Sequence, residues 1–546
     1  LESGNFNTQL YLDQLEIGFY MTSTFPLLSL LVFSPLLGVL LVLTFRDAHQ
    51  GRAAQWGAVT SSLVTAILSL FVWTAFQEGT AGLQLVERFT WIGSFGIDYF
   101  LGLDGLNLFF LVATAWLQPL ILLASWNMQE RAWQFNLHLL LLQCGVLGCF
   151  VALDAILFYV FFELMLIPLY FLIGGWGRAQ SLVAANRFFI YTVWGSLLML
   201  VSLIYTAVLF YQSAGYWSFQ ITDWYQLEIP VATQVWLFLG MFLAFAIKIP
   251  LFPFHGWLPS FHEQAPTIGS VEMAAIMMKL GPYGFLRFAL PTYPEAVALL
   301  SDYLMVLSLV CILYGGLVAI VQTNLKRLMA YSSISHMGYI LLGVFALNQQ
   351  GMTGGLMQMV NYAIVTSALF LCLGMLLQKS ENQEIGSFGG LLKTMPIFGG
   401  FFILFSMGSI GLPGLNSFIG EVLTMIGAAK VNLSFGVFAA VGVLIAAIYM
   451  LWMVQRVLFG PATKSHRPDL GLREIVVLSP LAFLAVLLGV YPQLFFDKVE
   501  PTVSFYAQQI QVRPTLQTVG IPEKALENAE HLSYFAGSQS IYSAER

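Results

Sequence analysis

Five ionisable residues stand inside runs of apolar sequence: Glu163 in FYVFFELMLIPLYFLIGGWG, Lys248 in FLAFAIKIPLFPFHGWLP, Lys279 in EMAAIMMKLGPYGFLRF, His336 in AYSSISHMGYI and Glu421 in GSIGLPGLNSFIGEVLTM. At membrane depth an ammonium costs from about 2.5 to more than 10 kcal/mol unless it finds water or a partner. Lysine and glutamate attract strongly at low dielectric while desolvation disfavours both charges, so small movements of water or partners swing their proton affinity. The chemistry such a set suits is proton transfer. In this reading Glu163 modulates Lys248, Lys279 and His336 relay across the middle, and Glu421 is the exit-side carrier, with His255 and His262 as further relay candidates. Each residue also has a plainer reading: an end-of-helix acid at 163, a lysine at 279 that snorkels to the interface, a hydrogen-bonded core histidine at 336.

The elements that must position these groups follow from composition. The chain has 546 residues, 58% hydrophobic and 9% charged, where soluble domains carry about 25% charge; it belongs in a bilayer. A hydrocarbon core needs about 20 apolar helical residues, and such stretches lie near 25–45, 56–76, 107–126, 137–153, 156–175, 188–212, 235–255, 268–290, 303–323, 327–347, 352–377, 398–427, 433–459 and 473–491. The expected fold is all-α and polytopic, with about fourteen transmembrane helices.

Lys248 is followed by Ile249-Pro250, and Glu421 follows Leu412-Pro413-Gly414. Pro250, Pro413 and Gly414 therefore mark helix breaks. Irregular backbone at membrane depth is tolerated only against protein or a water-filled cavity, and paired broken helices beside ionisable residues are how transporters with inverted repeats build an ion path. Spans four to eight and nine to thirteen form the candidate matching halves. The expected divisions are an amino-terminal extension at 1–24, spans one to three at 25–136, a first repeat at 137–290, a second at 291–460, a fourteenth span at 461–491 and a tail at 492–546.

Lys and Arg concentrate on the cytoplasmic side of short loops. Odd-numbered connections hold Arg46, Arg52, Arg131, Arg178, Arg187, Lys326, Arg327, Lys379, Lys393, Arg456, Lys464, Arg467 and Arg473, against Arg88, Arg287 and Lys430 in the even-numbered ones. Both termini are thus expected on the non-cytoplasmic side. The first twenty residues lack the basic start and cleavage signature of a signal peptide, and the acidic excess lies mostly in ends and loops, including Glu523, Glu527 and Glu530. The tail beyond Pro492 is polar, either a helix along a neighbour or a loose segment. No basic stripe suggests nucleic acid. Cys144, Cys149, Cys311 and Cys372 sit in apolar runs without a CxxC spacing, and no GxGxxG or phosphate loop appears, so no cofactor or metal is expected in this chain.

KIPLFPFHGWLPSFHEQAPTIGSVEMAAIMMKLGPYGFLRFALP, TNLKRLMAYSSISHMGYILLG and GLPGLNSFIGEVL resemble the signature stretches of the antiporter-like subunits of respiratory complex I, over roughly residues 95–460. The resemblance implies a fourteen-helix core with two inverted five-helix repeats, broken helices seven and twelve, and proton translocation along a central polar axis. Glu163, Lys248, Lys279, His336 and Glu421 match the family's channel residues. Glutamate rather than lysine in broken helix twelve resembles the chain 4, or M, type, and the long lateral helix of the chain 5 type is not seen. One departure is in QMVNYAIVTSALFLCLG, where Tyr362, a further possible relay, and Ala363 replace the usual histidine-glycine pair; with the unusual amino terminus it suggests a specialised cyanobacterial form, such as the one serving CO2 uptake, for which a thylakoid membrane, plastoquinone and photosynthesis would be the setting.

The resemblance thus implies a proton-pumping membrane subunit of a NAD(P)H- or ferredoxin-quinone oxidoreductase in a bacterial inner or thylakoid membrane. Redox chemistry would reside in other subunits, and its partners would be neighbouring antiporter-like subunits, the lipid bilayer, protons and internal water. A subunit of a multisubunit sodium/proton antiporter is the alternative. A third reading is a scaffold that keeps the fold without pumping, against which the full set of buried acids and bases argues.

Overall fold

The computed structural model describes residues 20–22, 25–46, 51–378, 382–459 and 468–519. Most of the amino-terminal extension, the far tail with Glu523, Glu527 and Glu530, and the loop cations Lys379, Lys464 and Arg467 lie outside the described residues.

Apolar runs become helices here because a helix satisfies its own backbone groups where water is scarce. In chain order they are α1 (Leu27–Thr44), α2 (Arg52–Ala75), α3 (Leu108–Ala124), α4 (Ala132–Val151), α5 (Ala155–Leu164), α6 (Leu166–Trp176), α7 (Ser181–Ala214) and α8 (Val231–Lys248). There follow α9 (Leu258–Gln264), α10 (Thr267–Ala275), α11 (Leu280–Gly284), α12 (Pro294–Ile320), α13 (Leu325–Phe345) and α14 (Gln349–Gln378). The series closes with α15 (Pro396–Ile410), α16 (Asn416–Val431), α17 (Leu433–Val454), α18 (Leu472–Val490) and α19 (Gln493–Val519). Among the described residues, 11 spans, with α5 and α6 taken as one, are long and apolar enough to cross a membrane, and α3 and α15 are shorter apolar helices. All fourteen apolar stretches of the sequence fall on this series.

One region differs from the all-helical expectation. Between α2 and α3 the chain forms strands β2 (Leu83–Ile92) and β3 (Ile97–Leu103), an antiparallel hairpin pairing Glu87 with Leu101 and Arg88 with Phe100, with a short β1 (Tyr20–Thr22) alongside β2. LQLVERFTWI is rich in β-branched and aromatic residues and ends on Gly93 and Gly96, a strand-and-turn composition; Gly96 takes φ +63°.

The centre of the fold is α13 and α14, whose apolar windows are 94% buried, whereas those of α1 and α18 are 39% and 28% buried. The two helices bearing His336 and Tyr362 are therefore inside, wrapped by helices that present apolar faces outward.

Three interruptions occur within this packed region. After Lys248 the chain leaves α8 and resumes at α9, and the freed groups are recaptured: Trp257 Nε1 donates to Ile247 O (3.0 Å), Leu251 N to Ala246 O (2.8 Å) and Phe252 N to Cys311 Sγ (3.1 Å). Between α15 and α16, Gly411 and Gly414 adopt φ +77° and +92°, conformations that glycine alone takes freely. There Asn361 and Asn416 exchange side-chain-to-backbone hydrogen bonds of 2.8 and 3.2 Å. The third interruption was not anticipated. From α10 the chain passes through a 3₁₀ turn, Met277–Lys279, then α11, then a π-turn, Phe285–Ala289. Pro282 offers no backbone N–H to an ordinary helix, which was the available signal.

Two cations assigned to connections from the sequence are instead buried. Arg287, in the π-turn, is 0% exposed and donates to Asp104 Oδ1 (2.5 Å), Tyr506 OH (2.7 Å) and Tyr283 OH (3.2 Å). A guanidinium has five donors in a fixed fork, so it can be held inside by surrounding acceptors. Lys326 is 3% exposed and donates to Ala265 O at 2.7 Å. Tyr506 belongs to α19, which returns along this chain: Thr502 Oγ1 accepts from Gly105 N (3.1 Å) and Lys498 Nζ reaches Glu78 (2.6 Å).

Removing one member of a buried ion pair costs about 3–5 kcal/mol, whereas replacing both by apolar groups is often neutral. Asp104→Ala should therefore lower the thermal midpoint of the purified protein markedly, and the double variant Asp104→Leu/Arg287→Met should recover most of the loss. Equal midpoints for Asp104→Ala and wild type would contradict the account.

Candidate functional site

The second half of the chain brings its predicted residues into contact. His336 lies in α13, Gln358 and Tyr362 in α14, Ser409 at the end of α15, Glu421 in α16 and Tyr449 in α17. His336 Nδ1 stands 3.6 Å from Glu421 Oε1, too long for a hydrogen bond yet an ion pair when the ring is protonated. Its Nε2 meets Ser409 Oγ at 3.2 Å and Tyr449 OH at 3.5 Å. Glu421 accepts from Gln358 Nε2 at 3.2 Å. The break between α15 and α16 makes this possible: Gly411 packs against the Glu421 carboxylate so closely that a Cβ there would collide with Oε2.

Tyr362 ties the histidine to Lys279. Its ring stacks on His336 with centroids 5.0 Å apart, and Lys279 Nζ lies 4.4 Å from the centroid of the same ring. Its hydroxyl donates to Ser333 Oγ at 2.7 Å. Lys279 is 1% exposed and its ammonium donates to Ala274 O, a carbonyl available because the helix has tightened to a 3₁₀ turn at that point. Lys279, Tyr362, His336 and Glu421 thus follow one another across the core.

In the first half the predicted pair is looser. Lys248 is fully buried and its Nζ has no hydrogen-bond partner, lying instead 5.0 and 5.7 Å from the rings of Phe162 and Phe188. Glu163 stands one residue before the end of α5, and Gly145 of α4 packs closely against Met165, where α5 passes into α6. Glu163 and Lys248 act on each other through space, and Ser196 is within hydrogen-bonding reach of the carboxylate. No ion pair joins them among the described residues, and Glu163 Oε1 has no partner. At the start of α5, Asp154 accepts from Ile156 N (2.9 Å) and Leu157 N (3.0 Å), a helix cap that fixes the segment carrying Glu163.

The two other histidines stand apart. His255 Nε2 pairs with Tyr314 OH at 3.2 Å. His262 is fully buried with both ring nitrogens unpartnered, stacked 4.7 Å from the ring of Phe370, two helical turns along α14 from Tyr362. The four cysteines are buried and unpaired.

Residues 152–446 match the family described as NADH:quinone oxidoreductase/Mrp antiporter, TM. The chain belongs to this family. Its relatives include NADH-quinone oxidoreductase subunit M of Rhodobacter capsulatus, 40% identical over 501 residues that cover 88% of this chain and 96% of that protein. NADH-ubiquinone oxidoreductase chain 4 of Chondrus crispus is 39% identical over 471 residues, 85% of this chain and 94% of that one. Among solved structures, a chain from respiratory complex I of Thermus thermophilus with bound NADH superposes with a TM-score of 0.80 at 30% identity, covering 88% of this chain and 99% of the other. A chain of the Mrp complex from a Dietzia species superposes at 0.75 with 20% identity over 89% of this chain and all of that one, a likeness of fold.

As a member of this antiporter family the chain is a multi-pass integral membrane protein. Several polar residues around its site went unremarked in the sequence. Gln358 and Ser409 are uncharged and look ordinary in apolar helices. Glu272 had a usable signal, a carboxylate in the apolar run seven residues before Lys279, and it is 2% exposed.

A left-handed backbone costs an L side chain about 1–2 kcal/mol, and at Gly411 a methyl also strikes Glu421. Gly411→Ala should lower the thermal midpoint and push the Glu421 carboxylate away from His336 in a structure of the variant; an unmoved carboxylate would show that the glycine does not set this contact.

Proposed function

We propose that this chain is the proton-translocating membrane subunit, of chain 4 or M type, of an NADH-quinone oxidoreductase, moving protons while quinone is reduced elsewhere in the complex. The observation that carries the proposal is the contiguous buried series Lys279, Tyr362, His336 and Glu421, built around broken backbone. An ammonium, an imidazole and a carboxyl, joined by the Tyr362 ring, are set in sequence where hydrocarbon would otherwise forbid them. Lys248 and Glu163 form the corresponding element of the first half, separated enough that a proton rather than a fixed ion pair answers a change at either residue.

Relatives described as NADH-quinone and NADH-ubiquinone oxidoreductase subunits, aligned over nearly their full length, support an oxidoreductase complex with other membrane subunits as partners. Residues 137–290 and 291–460 act in this proposal as matching inverted halves, with both termini on the non-cytoplasmic side of a bacterial inner membrane. The cyanobacterial variant, with plastoquinone, a thylakoid membrane and a photosynthetic role, rests on Tyr362 and the amino terminus; the relatives lend it no support. The Mrp likeness favours the second reading, sodium/proton exchange without quinone.

In membrane vesicles holding the complete complex, Lys248→Met and Glu421→Gln should each leave assembly intact and remove most NADH-driven proton transport. Wild-type transport in both variants would defeat the proposal. Proton flux that needs sodium but neither NADH nor quinone would favour the exchanger instead.

A further inference from the structure

We propose that Glu272, with Gln118 and Gln143, forms a hydrated proton-loading site between Lys279 and a cavity on the basic side of the molecule, a deepening that rests on the proton-translocation reading above. The cavity, of about 480 Å³, is bounded by residues at the carboxyl end of α3, the start of α10 and the end of α14, and Arg178, Lys326 and Gln383 line it. Its walls draw on the turns after α3, α6, α9 and α14, with Lys326 added from the first turn of α13. All four are odd-numbered connections, the set that carries most of the basic residues. The cavity therefore opens on the side where the chain concentrates positive charge.

Glu272 lies directly beyond the cavity. Ile268 is part of the lining, and Glu272 is four residues on in the same helix, one turn deeper on the same face. Lys279 follows seven residues later, past the end of α10 and in the 3₁₀ turn. Across from Glu272 is α3, which packs against α10; Ala124 and Ser125 at its end line the cavity, and Gln118, two turns back, is within hydrogen-bonding reach of the Glu272 carboxyl. Gln118 in turn donates to Leu139 O of α4 at 3.3 Å, one turn from Gln143.

Gln118 and Glu272 thus face each other between α3 and α10, Gln143 stands on α4 one turn from the carbonyl that Gln118 reaches, and all three are poorly satisfied. Gln118 Oε1, Glu272 Oε1 and both side-chain atoms of Gln143 have no hydrogen-bond partner in the protein, and the residues are 0%, 2% and 1% exposed. A buried polar atom left unpaired costs about 1–3 kcal/mol. Two glutamines alone could pair with each other or be replaced by leucine. A carboxyl with an open oxygen, flanked by amides that donate and accept, is instead the composition that ordered water occupies. The carboxylate takes a proton arriving through the cavity and passes it along this water to Lys279 when that side chain is the neutral amine, which becomes the ammonium while Glu272 returns to the carboxylate; one O–H bond is broken for each N–H bond made. Fully clasped buried charge looks different in this same protein: Arg287 uses its donors on Asp104, Tyr283 and Tyr506.

The test uses the whole complex in sealed vesicles, comparing protons moved per NADH oxidised for wild type, Glu272→Gln, Glu272→Asp and Glu421→Gln. The proposal expects at least a fivefold drop for Glu272→Gln, with Glu272→Asp retaining more than half of the wild-type ratio, since a shorter carboxyl still carries a proton whereas the isosteric amide does not. A wild-type ratio in Glu272→Gln, or equal losses in the Gln and Asp variants, overturns it. If Glu421→Gln loses transport and Glu272→Gln does not, only this site falls; if neither loses it, the functional proposal falls as well. Should Glu272→Gln not assemble, a high-resolution structure of the wild-type complex decides: ordered water bridging Glu272, Gln118 and Gln143 supports the site, and dry packing among them overturns it.

Discussion

The constraint that shapes this protein is the cost of holding charge where there is little water. Two different answers to it coexist. Arg287 cannot give up its proton, and it is held by Asp104 and two tyrosines until its charge is spread over a closed network. Lys248 and His336 are buried equally well and Glu163 is half-buried, yet each retains an unpartnered nitrogen or oxygen. The first arrangement fixes structure. The second leaves each group free to change its proton when a neighbour does, which a saturated ion pair would resist.

Broken backbone is what makes the second arrangement affordable. At the break after Lys248, an indole and a thiol take over the roles of missing helical partners; at the Gly411–Gly414 break, two asparagines clasp each other's main chain. The left-handed glycine lets the carboxylate fold back toward the imidazole, and Gln358 steadies it from α14. Tyr362 fits the same logic: with its proton too tightly held to exchange near neutrality, it serves as a shared aromatic face between an ammonium and an imidazole.

Much of this was legible in the chain. The apolar runs located the helices, because twenty oily residues have few alternatives in a bilayer, and Pro250, Pro413 and Gly414 announced two of the three interruptions. Charge inside those runs singled out five residues, of which Lys279, His336 and Glu421 stand in one close series with Tyr362, while Glu163 and Lys248 form a looser pair. What escaped notice had physical reasons. A β-hairpin between two spans leaves only a short alternating pattern, easily lost beside long apolar helices. Arg287 sits near the end of an apolar run, where loop and core are indistinguishable until its partner Asp104, far back in the chain, is brought beside it. Glutamines carry no charge to betray them, so Gln118, Gln143 and Gln358 became visible only through their neighbours.

The final described helix has a bearing on biogenesis. Tyr506 trails Arg287 by 219 positions, so while the ribosome is still extending the chain, the guanidinium has Asp104 and Tyr283 but not its last acceptor. Closure of that network waits on the strap formed by the newest part of the polypeptide. A chain that stops before Tyr506 would therefore leave the buried guanidinium one acceptor short.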